Sequence, residues 1–391
     1  MIVGGGSGGH IVPALAVAAE LHKLNPSNQI DYVIGNDDLL ADIVRDHHAI
    51  KDIHRVYSGK FRRYHGEGLK QFLDIPTLLK NIRDLFYVII GIVQALFLVR
   101  KLQPDVIFIK GGKVGVPIGL AAALLRIPYV THDSDAIPGL ANRLIARWAA
   151  AHAVAMPKEL YAYPSNKTFE VGIPISKVYT TITAALQKEY KTSFGIPAGS
   201  EVLLVTGGGL GAQRLNMAVA KISKKLMARH PKLAILHIAG KGKEEELSEV
   251  YRKQVNDHDL DRIIVEPFVT DLYRYSGAAD VIISRAGAST MAEFAVQAKA
   301  CIIVPNNQLT GGHQTKNAEI LADKKAIVNL SDESVQKNPE LLLQQIELLL
   351  GNPHRRLELA RNLHSTSDTN AAHKLALLVS KNAKSQVGDP S

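Results

Sequence analysis

One cysteine, Cys301, stands in 391 residues, so no intramolecular disulfide framework is possible and a reducing compartment suits the chain. Aromatic residues make up 6%, with a single tryptophan, and no stripe of basic residues interleaved with aromatics occurs. A nucleic-acid partner is therefore not expected. The sequence has no HExxH, no CxxC pair and no GxSxG, which removes the usual zinc and serine-hydrolase readings. It also lacks a Walker-type GxxxxGK[ST] and a kinase motif set. No basic stretch precedes the first apolar residues, so a cleaved signal peptide is not expected. The most apolar run, Leu85–Val99, has only Gln94 as a polar member and is short of the roughly 20 residues that cross a bilayer.

What the chain does have is glycine and positive charge. There are 30 glycines, and 46 Lys+Arg against 37 Asp+Glu give a net charge of +9. That balance fits a phosphate-bearing ligand or an anionic membrane surface. The length favours two domains. Short apolar runs alternate with amphipathic stretches, the pattern of repeated βα units and a parallel sheet. Strands are expected at Ile30–Ile34, Val106–Ile109, Pro128–His132 and Ala151–Ala155. The pattern restarts at Val202–Thr206, Ala234–Ala239, Ile263–Val265, Val281–Ser284 and Ala300–Pro305. The expected fold is α/β, two doubly wound Rossmann-like domains facing across a cleft. The expected boundaries are 1–172, 173–365, and a C-terminal helix and polar tail over 366–391, with the joint at Val171-Gly172-Ile173-Pro174-Ile175. Leu85–Val99 reads either as a helix buried against the sheet or as one dipping into a membrane surface, helped by Lys60, Arg62, Arg63 and Lys70.

Five motifs carry candidate chemistry. Gly4-Gly5-Gly6-Ser7-Gly8-Gly9-His10 follows a strand start and precedes a helix, where glycines let backbone N–H groups approach an anion. It contains GxGxxG, so a dinucleotide site with Asp37 or Asp38 on the ribose is an open alternative. His10 closes the loop as a candidate base or as a structural histidine. Gly207-Gly208-Gly209-Leu210-Gly211 repeats the arrangement in the second half. In Ser284–Glu293, Ser289 or Thr290 can cap a helix whose N-terminus suits a diphosphate. Glu293 on its first turn could accept hydrogen bonds from ribose hydroxyls. Gly311-Gly312-His313-Gln314-Thr315-Lys316-Asn317 follows another strand and suits hydroxyl recognition. Asp133-Ser134-Asp135 has Asp-x-Asp spacing, yet the paired glycine loops favour acceptor contacts or loop capping, and no metal is assigned.

Taken in order, GGGSGGH, HDSDAIPGLANR, GGGLGAQRLN, SRAGASTMAE and HQTKNA resemble the MurG family of glycosyltransferases (family 28, GT-B fold) from about Ile2 to Leu330. The resemblance implies an inverting hexosyltransferase that adds GlcNAc from UDP-GlcNAc to undecaprenyl-pyrophosphoryl-MurNAc-pentapeptide in peptidoglycan synthesis, hence cell shape and division. It implies no metal or other cofactor and peripheral attachment to the cytoplasmic face of the cell membrane. Its partners would be a UDP-sugar, a polyprenyl-pyrophosphate-linked acceptor and the anionic membrane surface. His10 would be the base, with Asp133 second. The donor-binding set would be Gly8, Gly9, Gly209, Gly211, Arg285, Gly287, Ser289, Thr290, Glu293, His313, Gln314 and Asn317. Gly8 and Gly9 would also lie with His10 beside the acceptor diphosphate. Gly6, Ser7, His132, Asp135 and Asn142 would line the acceptor side. Ile173 and Ser176 replace a usual Asn and Arg, Gly209 a usual Ser, and His-Asp-Ser-Asp a usual His-Glu-x-Asn. These departures leave open another GT-B enzyme with a different lipid acceptor, such as a diacylglycerol glycosyltransferase, or a UDP-GlcNAc 2-epimerase. A dinucleotide-dependent oxidoreductase and a non-catalytic membrane scaffold are the readings from other classes.

Overall fold

A computed structural model describes residues 1–6, 8–38, 41–59, 75–208, 211–307 and 312–384. Ser7, Lys60, Arg62, Arg63, Lys70, Gly209 and the tail beyond Lys384, all named above, lie outside the described residues. The chain forms two compact units, Met1–Ser176 with Asp368–Ser391, and Lys177–Ser367.

The first unit runs β1 (Ile2–Val3), α1 (Gly8–Leu24), β2 (Asp31–Gly35), α2 (Ala41–Arg45), β3 (Asp52–Val56), α3 (Ile75–Leu102), β4 (Ile107–Ile109), α4 (Gly115–Leu124), β5 (Tyr129–Asp133), α5 (Leu140–Ile145), β6 (Ala151–Val154) and β7 (Thr168–Glu170). Its strands form one parallel sheet in the order β3-β2-β1-β4-β5-β6-β7. The second unit runs α6 (Ala184–Ser193), β8 (Glu201–Thr206), α7 (Gln213–Arg229), β9 (Leu233–Ile238), α8 (Glu244–Gln254), α9 (Asp257–Leu260), β10 (Ile263–Glu266), α10 (Leu272–Ala278), β11 (Val281–Ser284), α11 (Ala288–Val296), β12 (Cys301–Ile303), α12 (His313–Asp323), β13 (Val328–Asn329), α13 (Asp332–Lys337), α14 (Glu340–Gly351) and α15 (Pro353–His364). Its sheet is also parallel, ordered β10-β9-β8-β11-β12-β13. The last helix, α16 (Ala371–Lys381), packs on α1 in the first unit, and its Leu375, Ala376 and Val379 share a core with Ile11, Leu15 and Leu21.

The strands are apolar on both faces because helices cover both faces. In β8, Leu203 and Val205 enter one core with Leu215 and Leu226 of α7, while Val202 and Leu204 enter the opposite core with Phe294 of α11. The two-residue alternation of a strand places them so. The expected strands are all present, within two residues at either end. Those not anticipated, β3, β7 and β13, are edge strands, which pack fewer neighbours and carry no unbroken apolar run.

Helix α3 contains Leu85–Val99 and is longer than that run. Its stretch Lys80–Leu102 has the length and apolar composition to cross a membrane, yet one face belongs to the core of its unit. Asp84, Val88, Ala95 and Val99 are buried at helical spacing, and a Cβ on Gly91 would collide with the carbonyl of Tyr57. Gln94, the polar exception, accepts a hydrogen bond from the Tyr57 N–H at 2.9 Å. The opposite face is apolar and exposed through Ile82, Phe86, Ile89, Ile90, Val93 and Phe97. The buried-helix reading therefore holds for one face of α3, and the other face is left exposed.

Candidate active site

In an open parallel sheet, ligands bind beyond the carboxyl ends of the strands where the strand order reverses. That point lies between β1 and β4 in the first unit and between β8 and β11 in the second. Glycine loops follow β1 and β8, and glycine-containing turns follow β4 and β11.

In the first unit α1 begins at Gly8 rather than near Pro13, so Gly8, Gly9 and His10 occupy its first turn. Gly6 has φ of 84°, and its N–H donates to the Asp38 carboxylate at 2.6 Å. Asp37 is held by Lys113 at 2.5 Å. Asp38 thus fixes the glycine loop, and Asp37 pairs instead with Lys113 beyond β4. The His10 Nδ1–H donates to the Gly5 carbonyl at 3.1 Å. Since a carbonyl only accepts, Nε2 is the basic nitrogen. Burial, with the Lys110 ammonium second, pushes His10 down to about 4, so the imidazole is neutral at pH 7 and able to accept a proton.

Near the end of β5, His132 is fully buried and its Nε2–H donates to Gly172 O at 2.9 Å. The Asn142 amide donates to His132 O at 3.0 Å. Asp133 accepts from Gly139 N–H at 3.0 Å and from the Tyr163 hydroxyl at 2.9 Å, and burial raises its pKa. Asp133 therefore caps a loop and is the poorer candidate for base. Asp135 lies close enough to His10 to act on its charge. No cluster of metal-binding side chains occurs among the described residues.

In the second unit Gly208 and Gly211 have φ of 78° and 67°, and a Cβ on Gly211 would overlap Ala239 O. Glycine is required at this turn. Helix α11 is capped by Gly287 without a side-chain hydrogen bond, which corrects the expectation of a Ser289 or Thr290 cap. Both residues lie on its first turn, and their backbone N–H groups are among those that point out of a helix start. Glu293 lies a turn further along than expected and is 8% exposed. Burial pushes it up to about 8, and the Tyr179 hydroxyl donates to it. Arg285 is turned inward to Asp332 Oδ1 at 2.7 Å and Val304 O at 2.9 Å. Through Nη1 it braces the strand end, while its Nε is buried without a hydrogen-bond partner. The Gln314 side chain accepts from Asn306 N–H at 2.9 Å, and buried Asn317 donates to Ala286 O at 3.2 Å. His313 opens α12 after Gly312, whose φ is 64°.

Models of the glycosyltransferase family 28 N-terminal and C-terminal domains match residues 1–154 and 202–375. The chain belongs to glycosyltransferase family 28. Within it, the chain is 31% identical over 367 residues to the UDP-N-acetylglucosamine--N-acetylmuramyl-(pentapeptide) pyrophosphoryl-undecaprenol N-acetylglucosamine transferase of Desulforamulus reducens, covering 93% of this chain and 92% of that protein. A protein of the same name from Thermodesulfovibrio yellowstonii is 30% identical over 353 residues, covering 90% of each. The crystal structure of Acinetobacter baumannii MurG is similar with a TM-score of 0.69 and 25% identity, covering 97% of this chain and 98% of that one. The S. aureus MnaA–UDP structure, at 14% identity and a TM-score of 0.63, shares the fold. Family 28 membership makes this chain a hexosyltransferase of the GT-B fold.

Sequence reasoning passed over Lys110 and Tyr179. Lys110 was legible as the first residue of a Lys-Gly-Gly turn directly after an apolar strand. Tyr179 had no local signal, because its partner Glu293 is distant in sequence.

Proposed function

We propose that this protein transfers GlcNAc from UDP-GlcNAc to the MurNAc 4-hydroxyl of undecaprenyl-pyrophosphoryl-MurNAc-pentapeptide, with inversion, in peptidoglycan synthesis. The observation that supports this most is the glycine loop at the switch point of each sheet, in a chain whose halves match the two family 28 domains.

In this reading the acceptor hydroxyl attacks C1 of GlcNAc and the C1–O bond to UDP breaks. The hydroxyl proton passes to His10 Nε2. The departing diphosphate is stabilised by first-turn N–H groups of α11 around Ser289 and Thr290, with Glu293 on the ribose and His313 toward the sugar or phosphates. Gln314, Asn317 and Arg285 shape the pocket from behind. His132, Asn142 and Asp135 build the acceptor wall. The apolar face of α3, continued by a hollow lined by Ile92, Leu120, Ala123, Leu124 and Trp148, rests on the cytoplasmic membrane surface as a peripheral contact. No metal takes part.

The test is UDP release from UDP-GlcNAc with a soluble-tailed lipid I analogue, with and without EDTA. Release that requires the acceptor and ignores EDTA is expected. A thermal shift with UDP but no release would refute the acceptor, and Ile173 and Ser176 would then be the first positions to examine.

A further inference from the structure

A lysine ammonium buried without a partner is costly, of the order of several kcal/mol. Lys110, directly after β4, is 3% exposed, and its side chain makes no hydrogen bond or ion pair among the described residues. The turn it opens is packed on both sides. A Cβ on Gly111 would lie 3.6 Å from the Asn142 amide, and one on Gly112 would lie 3.5 Å from His10 Nδ1. A Cβ on Gly4 would touch the Lys110 stem at 3.4 Å. Lys110 is therefore set between the start of α1, which carries His10, and α5, which carries Asn142.

Its surroundings offer attraction without closure. Asp133 and Asp135 act on it through space, but Asp133 already accepts from Gly139 and Tyr163. His132 Nδ1, Asn142 Oδ1 and the Ser134 hydroxyl are buried without hydrogen-bond partners. Burial lowers the lysine only to about 8, so it is mostly charged at pH 7. A cation so placed, close enough to His10 to act on it through space, is complete only with an anion.

We propose that the Lys110 ammonium binds the pyrophosphate of the lipid-linked acceptor and so makes the first unit selective for a diphosphate-bearing acceptor. The proposal rests on the reading of this unit as the acceptor half. A point charge suits this task, since it neutralises a phosphate oxygen without demanding a fixed bidentate geometry. It also orients the acceptor, because the sugar attached to a pyrophosphate held at Lys110 lies next to the imidazole at Gly112.

The test uses Lys110→Met, which keeps the stem and removes the charge, with inorganic pyrophosphate as probe in the presence of saturating UDP. Wild type should bind pyrophosphate, and the variant should bind about tenfold to a hundredfold more weakly. The KM for a lipid I analogue should rise by a similar factor, with kcat within about threefold and UDP affinity unchanged. Because an unpaired buried charge is removed, the variant should also unfold at a higher temperature than wild type. Equal pyrophosphate affinity, a fall in kcat alone, or a variant that fails to fold would each overturn the assignment. If wild type binds pyrophosphate through Lys110 but releases no UDP with lipid I, the subsite stands and the acceptor proposed above falls.

Discussion

Glu293→Gln tests the donor site and the cost of its construction together. The carboxyl is buried, and its pKa is raised from 4.5 to about 8 chiefly by that burial. In the unfolded chain the proton leaves near 4.5; in the folded chain it stays until about 8. Stability is therefore greatest below pH 4.5, declines as pH rises toward 8, and is level above. Each pH unit across that window removes about 1.4 kcal/mol, so between pH 5 and pH 8 wild type should lose about 3–4 kcal/mol through this group alone. Gln cannot ionise and still accepts the Tyr179 hydroxyl. The variant should be more stable than wild type by about that difference at pH 8 and nearly equal to it at pH 5, measured by urea denaturation at both pH values. Ribose hydroxyls donate best to an ionised carboxylate, so wild-type affinity for UDP should rise about tenfold from pH 6.5 to 8.5. The variant should bind UDP about tenfold more weakly at pH 8.5, with no such rise, by calorimetry. A variant equally destabilised at both pH values, or unchanged in UDP affinity, would refute the reasoning.

Three further outcomes are expected. His10→Asn should lower acceptor-dependent UDP release by about 10²- to 10⁴-fold while UDP binding stays within twofold, because the imidazole lies in the other unit from the nucleotide; full activity would remove His10 as base. The double change Phe86→Ser with Phe97→Ser, at positions 60% and 73% exposed, should weaken binding to anionic vesicles by more than about tenfold and leave the melting temperature unchanged; undiminished sedimentation with vesicles would refute the membrane contact. Asp280→Ala should cost about 3 kcal/mol in urea denaturation, since it strips the partner from Lys191 at 2.7 Å and from Val202 N–H at 2.8 Å; a cost below about 1 kcal/mol would show the pair to be idle.

The fold was legible because helices on both faces force central strands to be apolar throughout, as in Val202–Val205, and glycine loops follow the strand that begins each half. The edges were not, since β3 reads Asp-Ile-His-Arg-Val with only Val56 buried and imitates a loop. The return of α16 to the first unit was hidden for a different reason. An amphipathic helix states that it has a partner and not which one, and here the partner is α1, with His373 reaching Glu20 at 3.1 Å. At the site, sequence patterns located the loops but not how much of each side chain the fold itself uses. Arg285, Gln314 and Asn317 read as ligand contacts, and each also lends one polar atom to the fold, Nη1 to Asp332, Oε1 to Asn306 N–H and Nδ2 to Ala286 O.

The two sheets treat buried charge differently at their two ends, and the difference separates folding from function. At the amino ends of β11 and β12, Lys191 is paired with Asp280, and Lys299 donates to the carbonyls of Gly277 and Ala279 at 2.8 and 2.9 Å. Burial there is answered by the chain itself. At the carboxyl ends, Lys110 has no such answer among the described residues, His132 keeps an unpaired nitrogen, and Glu293 holds its proton into the neutral range. Arg285 is intermediate: its Nη1 is held by Asp332 and Val304 O, while its Nε is buried without a hydrogen-bond partner. Among the described residues, a chain that answers Lys191 and Lys299 at the amino ends of its strands while leaving Lys110 unanswered where parallel sheets receive ligands fits electrostatics completed by an anion and a sugar nucleotide rather than by folding alone.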